Sequence, residues 1–105
     1  MAEQKAMVTR WAGSGAANEA DIRRLLVEEG LQAYRWGNGP DDVYSAHTHP
    51  FNKVIYVVEG AIVFTLPETN TDLELFAGDR LDLPRGTWHS AVVGRQGVIC
   101  LEAHH

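Results

Sequence analysis

From Leu31 onward the chain is a succession of short apolar runs, each closed by turn-forming residues: QAYRW, GNGPDD, VYSAH, KVIYVV, EGA, IVFTL, PETNTD, LELF, AGD, RLDLP, RGT, WHSAVV, GRQG and VICLEA. About seven or eight strands at hairpin spacing predict a sandwich or barrel with antiparallel neighbours. KVIYVV and IVF are apolar at every position, where a strand with one wet face would alternate. Both faces of these strands are therefore expected to be covered. One face lines the barrel interior, and the other meets a helix, the N-terminal arm or a second subunit.

Ahead of Leu31 the pattern is different. Residues 1–17 are rich in Ala, Gly and Ser and carry no sustained period, which predicts a loose arm. Asn18 is placed to cap a helix, with Asp21 in the reciprocal position and Ile22, Leu25 and Leu26 as its apolar stripe. Gly30 stops it, and Leu31 is placed to fold back on Leu26. A helix of about three turns needs a partner surface in water. The expected organisation is an arm and helix over 1–30 and a barrel domain over 31–103.

Length and charge narrow the partners. A chain of 105 residues, 45% hydrophobic and 22% charged, has room for one packed domain. The net charge is −5, and no basic cluster is longer than Arg23-Arg24, which excludes a nucleic-acid backbone or anionic lipid as the expected partner. A small molecule or a protein is expected instead. The longest apolar stretch, Val54 to Val58, is far too short to span a bilayer, and the N-terminus lacks a basic-then-apolar signal pattern. With one cysteine, Cys100, no internal disulfide can form, which fits a reducing compartment and a cytoplasmic protein. Cys100 itself reads as a small buried hydrophobe.

Chemistry gathers in AHTHPFNK, residues 46–53. Side chains alternate along a strand, so His47 and His49 project the same way, and two imidazoles at this spacing make half a coordination site for Zn, Fe, Ni or Cu. The pair alone is equally compatible with two histidines on a solvent face. GDRLDLPRGTWH, residues 78–89, adds a third histidine, His89, behind a Pro-x-Gly turn.

Together these blocks resemble the two motifs of the cupin superfamily. His47, His49, the position of Lys53 and Gly60 fall at the spacings of the first motif, and Gly78, Pro84, Gly86 and His89 at those of the second. The match spans residues 41–93, about half the chain. Asp41 stands where the leading glycine belongs and Val93 where the closing asparagine belongs. The larger departure is Lys53, at the position where most metal-binding cupins place a glutamate ligand. A protonated lysine has no lone pair, so it cannot bind a cation. The remaining three-histidine face is similar to the sites of the thiol dioxygenases and the diketone-cleaving dioxygenase of that superfamily.

The resemblance implies an all-β, cupin-type jelly-roll barrel with one short helix packed outside. It also implies a divalent metal (Zn, Ni, Fe or Mn) shared by His47, His49 and His89. A metal-free barrel, with the histidines bonded to one another, to water or to an organic ligand, fits the same residues. Lys53 has three readings: an ammonium bent to the mouth of the barrel in water, a catalytic-site cation that anchors an anionic substrate, or a desolvated amine acting as base or nucleophile. Trp36, Tyr44, Phe51, Tyr56, Phe64 and Trp88 read as core or interface, Asp79 as a turn residue, and Asp82 as an outward-facing one. His104 and His105 end the chain and are placed outside the site. Two functions fit. One is a metalloenzyme, dioxygenase-like, acting on a small anionic substrate. The other is a non-catalytic module binding a small ligand in the same cavity. A homodimer is expected from the doubly apolar strand Val54 to Val58.

Overall fold

The computed structural model describes residues 5–105; residues 1–4 of the arm lie outside the described part. The elements are β1 (Met7–Thr9), α1 (Glu19–Glu28), β2 (Tyr34–Asn38), β3 (Val43–His47), β4 (Lys53–Leu66), β5 (Thr71–Phe76), β6 (Arg80–Leu83) and β7 (His89–His104). All pairings are antiparallel, and the strands form one continuous sheet folded over itself as a jelly roll with a single helix outside.

Two turns expected from the sequence are not turns. EGA lies within the 14-residue β4 and GRQG within the 16-residue β7, so four expected strands become two long ones. Gly60 and Gly97 explain the difference. Both adopt positive φ, 82° and 78°, and the β4–β7 ladder shifts register on either side of Gly60. A Cβ on Gly60 would lie 2.0 Å from the Gly97 carbonyl oxygen, so the two strands cross at a point where only glycine fits. Past this bend each strand passes from one layer to the other. The first half of β4 pairs with β6 and the last part of β7, which in turn pairs with β2; the second half of β4 pairs with β5 and the first part of β7, which pairs with β3.

The main core fills the space between the layers with Ile55, Val57, Ile62, Phe64, Leu75 and Cys100 among others. Strand alternation turns Val54 and Tyr56 outward, where with Leu101 they receive Ile22 and Leu26 of α1. The helix thus covers the outer face of the strand that is apolar on both sides. Its ends follow the sequence: Asn18 Oδ1 accepts from Asp21 N at 2.9 Å, and the Gly30 and Leu31 amides donate to Val27 O and Leu26 O, each at 2.9 Å. Leu25, read as part of the stripe, is 37% exposed and sits at its edge.

The arm is also corrected. Met7–Thr9 pairs with β6, and Arg10 Nη1 reaches Asp79 Oδ2 and Glu74 O, each at 2.6 Å. Asp79 is buried and also accepts from the amide of Phe76, so this turn residue anchors the arm as well. A three-residue strand held by backbone bonds leaves no hydrophobic period to detect. Asp82 pairs with Arg80 at 2.9 Å, and Arg80 extends to Glu29 at the end of α1.

Candidate metal centre

His47 ends β3 directly opposite His89, the first residue of β7. His49 follows in a loop that the second sequence block holds in place. Gly86 N donates to His49 O and Arg85 N to Asn52 Oδ1, both at 2.8 Å, while Thr87 N to Pro84 O closes the turn around Gly86 at φ 76°. The Pro-x-Gly turn therefore fixes the loop carrying the second histidine while leading into the third. One ring nitrogen from each of His47, His49 and His89 lies within 4.8 Å of the others.

The hydrogen bonds set the tautomers. His47 Nδ1 is 2.6 Å from Ser45 O and His89 Nδ1 is 2.9 Å from Thr87 O. A carbonyl only accepts, so each Nδ1 donates, which leaves each Nε2 as the nitrogen available to a metal. His49 Nε2 is buried with no hydrogen-bond partner. Burial holds His49 below its ordinary range, with Lys53 and His47 adding to the effect. Burial does the same to His89, opposed by its bond to Thr87 and reinforced by His47 and Lys53. Three imidazoles whose ring nitrogens converge, two of them held below their ordinary range, offer what a divalent ion requires, so the residues fit the metal that the sequence blocks imply.

The opposite wall holds a feature that the sequence reading missed. Lys53 lies inside the barrel, its side chain 13% exposed, with Nζ 3.2 Å from Glu102 Oε2. Glu102 is buried on β7, in register with Tyr34 on one side and Ile55 on the other. Its Oε1 accepts from Trp36 Nε1 at 3.1 Å; its Oε2 accepts from the Tyr34 hydroxyl and lies 2.6 Å from His104 Nε2. Burial pushes the Glu102 carboxyl up, but the bonds from Tyr34, His104 and Lys53 together outweigh it and hold it below the usual range. Burial and Glu102 push the Tyr34 phenol well above its usual value. The reading of Lys53 as an ammonium bent into water at the mouth of the barrel is corrected: the side chain is largely enclosed and has a buried counterion. His104, placed outside the site on its terminal position, is the last residue of β7; it packs on Phe51 at 4.1 Å between ring centroids and takes part in the same network. A glutamate two residues from Cys100 and two from His104 in VICLEAH marks an inward row, and that was the available signal.

A cavity of about 210 Å³ is lined by His47, His89 and Phe64 from one strand layer and by Lys53, Glu102 and Trp36 from the other. Tyr44 also lines it and donates to Asn38 Oδ1. Of the aromatics read as core, Tyr56 and Phe64 are buried, Trp36 and Tyr44 face the cavity, Phe51 stacks on His49, and Trp88 is 45% exposed. Cys100 is fully buried, and burial pushes its thiol up to about 12.

No protein-family model and no curated protein matches the chain. Solved structures do. The polyketide cyclase RemF from Streptomyces resistomycificus is 26% identical over 70% of this chain and 54% of its own, with a TM-score of 0.62. An RmlC-like cupin from Shewanella frigidimarina is 27% identical over 70% and 64%, with a TM-score of 0.61. A DUF861 family protein from Thermotoga maritima covers 96% of this chain and 100% of its own at a TM-score of 0.65; at 14% identity that likeness is one of fold. The chain spans about half the length of the cyclase.

A jelly roll with clustered histidines on one inner wall defines a class of small β-barrel with a metal-competent cavity. The two sequence blocks, placed as the fold places them, and the likenesses at 26% and 27% identity make the chain a member of the cupin superfamily.

Proposed function

We propose that the protein binds a divalent ion through His47, His49 and His89 and holds a small anionic substrate in the adjoining cavity, with Lys53 as the substrate-facing cation. The observation that carries this reading is His49 Nε2, a buried nitrogen without a partner in a cluster whose other two rings are oriented by backbone carbonyls. Leaving such a nitrogen unsatisfied costs about 1–3 kcal/mol, which an ion would recover. Zn, Ni, Fe and Mn all accept imidazole donors; such an ion supplies Lewis acidity, and for Fe, Mn or Ni also redox chemistry of the dioxygenase-like kind. The protein residues orient and exclude water: Phe64, Trp36 and Ile55 make the cavity walls apolar, and Lys53 offers hydrogen bonds to a bound oxygen. At 26% identity the RemF cyclase supports an enzymatic version of the reading.

Elemental analysis of protein purified without a polyhistidine tag tests it. Wild type is expected to retain about one ion per chain, and His49→Ala far less, because two histidines are too few donors. Full retention in the variant rejects the ligand set. The reading includes a cytoplasmic homodimer. Its available contact is the outer surface of β3 and β7, where Val43 and Val92 pair across the strands at 71% and 47% exposure. Light scattering that gives the mass of one chain at micromolar concentration rejects the dimer.

A further inference from the structure

We propose that Glu102 is the specificity-determining residue of the cavity: as the built-in partner of Lys53 it makes the wall opposite the histidines electrically neutral, so the cavity selects a monoanion with a neutral hydrogen-bonding tail over a dianion. The metal end of this argument rests on the function proposed above; the Lys53 end stands on geometry alone. A lone ammonium facing the cavity would attract a second negative group. Here the ammonium is already 3.2 Å from a carboxylate that is itself 3% exposed. That carboxylate cannot readily give way to an incoming anion, because Tyr34, Trp36 and His104 hold it independently of Lys53. It therefore remains close to whatever Lys53 contacts, and it repels a second anion there.

Lys53 is not saturated by the pair. An ammonium has three N–H donors and Glu102 uses one, which leaves donors for an uncharged acceptor such as a hydroxyl or carbonyl oxygen. The cavity walls near the pair are the apolar side chains of Ile55 and Trp36, suited to a short hydrocarbon link. A ligand of this description carries one carboxylate or other oxyanion toward the histidines, a few carbons, and a neutral oxygen toward Lys53. Its size is bounded by a cavity of about 210 Å³, below the usual range for drug-sized ligands.

4-Hydroxybutanoate and succinate separate the possibilities, because they share a carbon chain and differ in the second terminal group. Each is titrated calorimetrically into nickel-loaded and metal-free wild type, Glu102→Gln and Lys53→Met, and the quantity read is the ratio of the two affinities, from which any contribution common to both ligands cancels. Wild type is expected to prefer 4-hydroxybutanoate. Glu102→Gln removes the repelling charge and releases Lys53, so succinate should gain about tenfold relative to the hydroxy acid. Lys53→Met leaves Glu102 unmasked, and the preference against succinate should widen; this variant keeps the other donors to Glu102 and covers the case in which Glu102→Gln does not fold. An unchanged ratio in either folded variant, or no succinate binding by folded Glu102→Gln, overturns the proposal. Failure of nickel to bind, with the ratios still shifting in metal-free protein, counts against the metal reading alone.

Discussion

His49 and His89 both resist protonation, and that resistance sets a pH dependence. Burial is the main cause in each, and Lys53 and His47 add to it. In the unfolded chain these imidazoles take up protons near their ordinary value of 6.5, while in the folded chain they do so only at lower pH. Their contribution to stability is therefore present above pH 6.5 and lost as pH falls through their folded range. Glu102 adds a second step of the same sign lower down. Its folded carboxyl ionises below the ordinary 4.5, so its contribution is present above that value and lost beneath it. Thermal melts of metal-free protein should show two successive declines in Tm on acidification, and added Ni or Zn should push the first to lower pH, since metal and proton compete for the same nitrogens. A Tm that is flat from about pH 8 to about pH 5 would contradict the burial of these rings. At this scale the histidines were legible because a two-residue spacing and a turn motif are local. Glu102 was legible only in its face, through its alternation with Cys100; its Tyr34 partner is 68 residues away in sequence, so nothing local shows what satisfies a buried acid.

Gly60 shows how an element can be legible while its role is misread. EGA looks like a turn, and the chain does change direction there, but as a bend inside β4. Composition cannot separate the two, since a tight turn and a strand crossing both call for glycine at positive φ. The structure separates them by what lies opposite: a Cβ at Gly60 meets the Gly97 carbonyl oxygen at 2.0 Å, whereas one at Gly86 meets nothing within 4 Å. Gly60→Ala should therefore cost at least about 2 kcal/mol in denaturant unfolding, combining strain and clash, and Gly86→Ala about 1 kcal/mol from backbone strain alone. Metal affinity should respond in the opposite order. Gly86 donates to His49 O and positions that loop, while Gly60 lies at the layer crossing. Equal costs for the two substitutions would show that the crossing is looser than the geometry describes. Asp41 fits the same logic: it replaces the first glycine of the motif and adopts φ 63°, a region that Asp enters more readily than most residues.

The molecule as a whole is closed on one side by its N-terminal segment. The alternation-breaking run KVIYVV correctly signalled that both faces of that strand are covered, but nothing in the run itself could say by what. The answer is α1, with Ile22 and Leu26 fully buried over Val54, Tyr56 and Leu101. Arg80 fastens the helix end to β6 through Glu29, and Arg10 with Met7–Thr9 fastens the arm through Asp79 and β6. The homodimer expected from this strand would therefore have to form elsewhere. Deleting residues 1–30 uncovers the face directly. Ile22 and Leu26 alone bury side chains worth about 1.5–3 kcal/mol each, so the shortened chain should melt well below the intact one. The exposed Val54, Tyr56 and Leu101 should also drive further self-association, read as a rise in mass by light scattering beyond that of the intact protein at the same concentration. The histidine wall lies on the other side of β4 and β7, and metal retained per folded chain should change little. A shortened chain with the Tm and mass behaviour of the intact one would mean that α1 rests on the barrel without stabilising it, and would return the outer face of β4 to a second subunit.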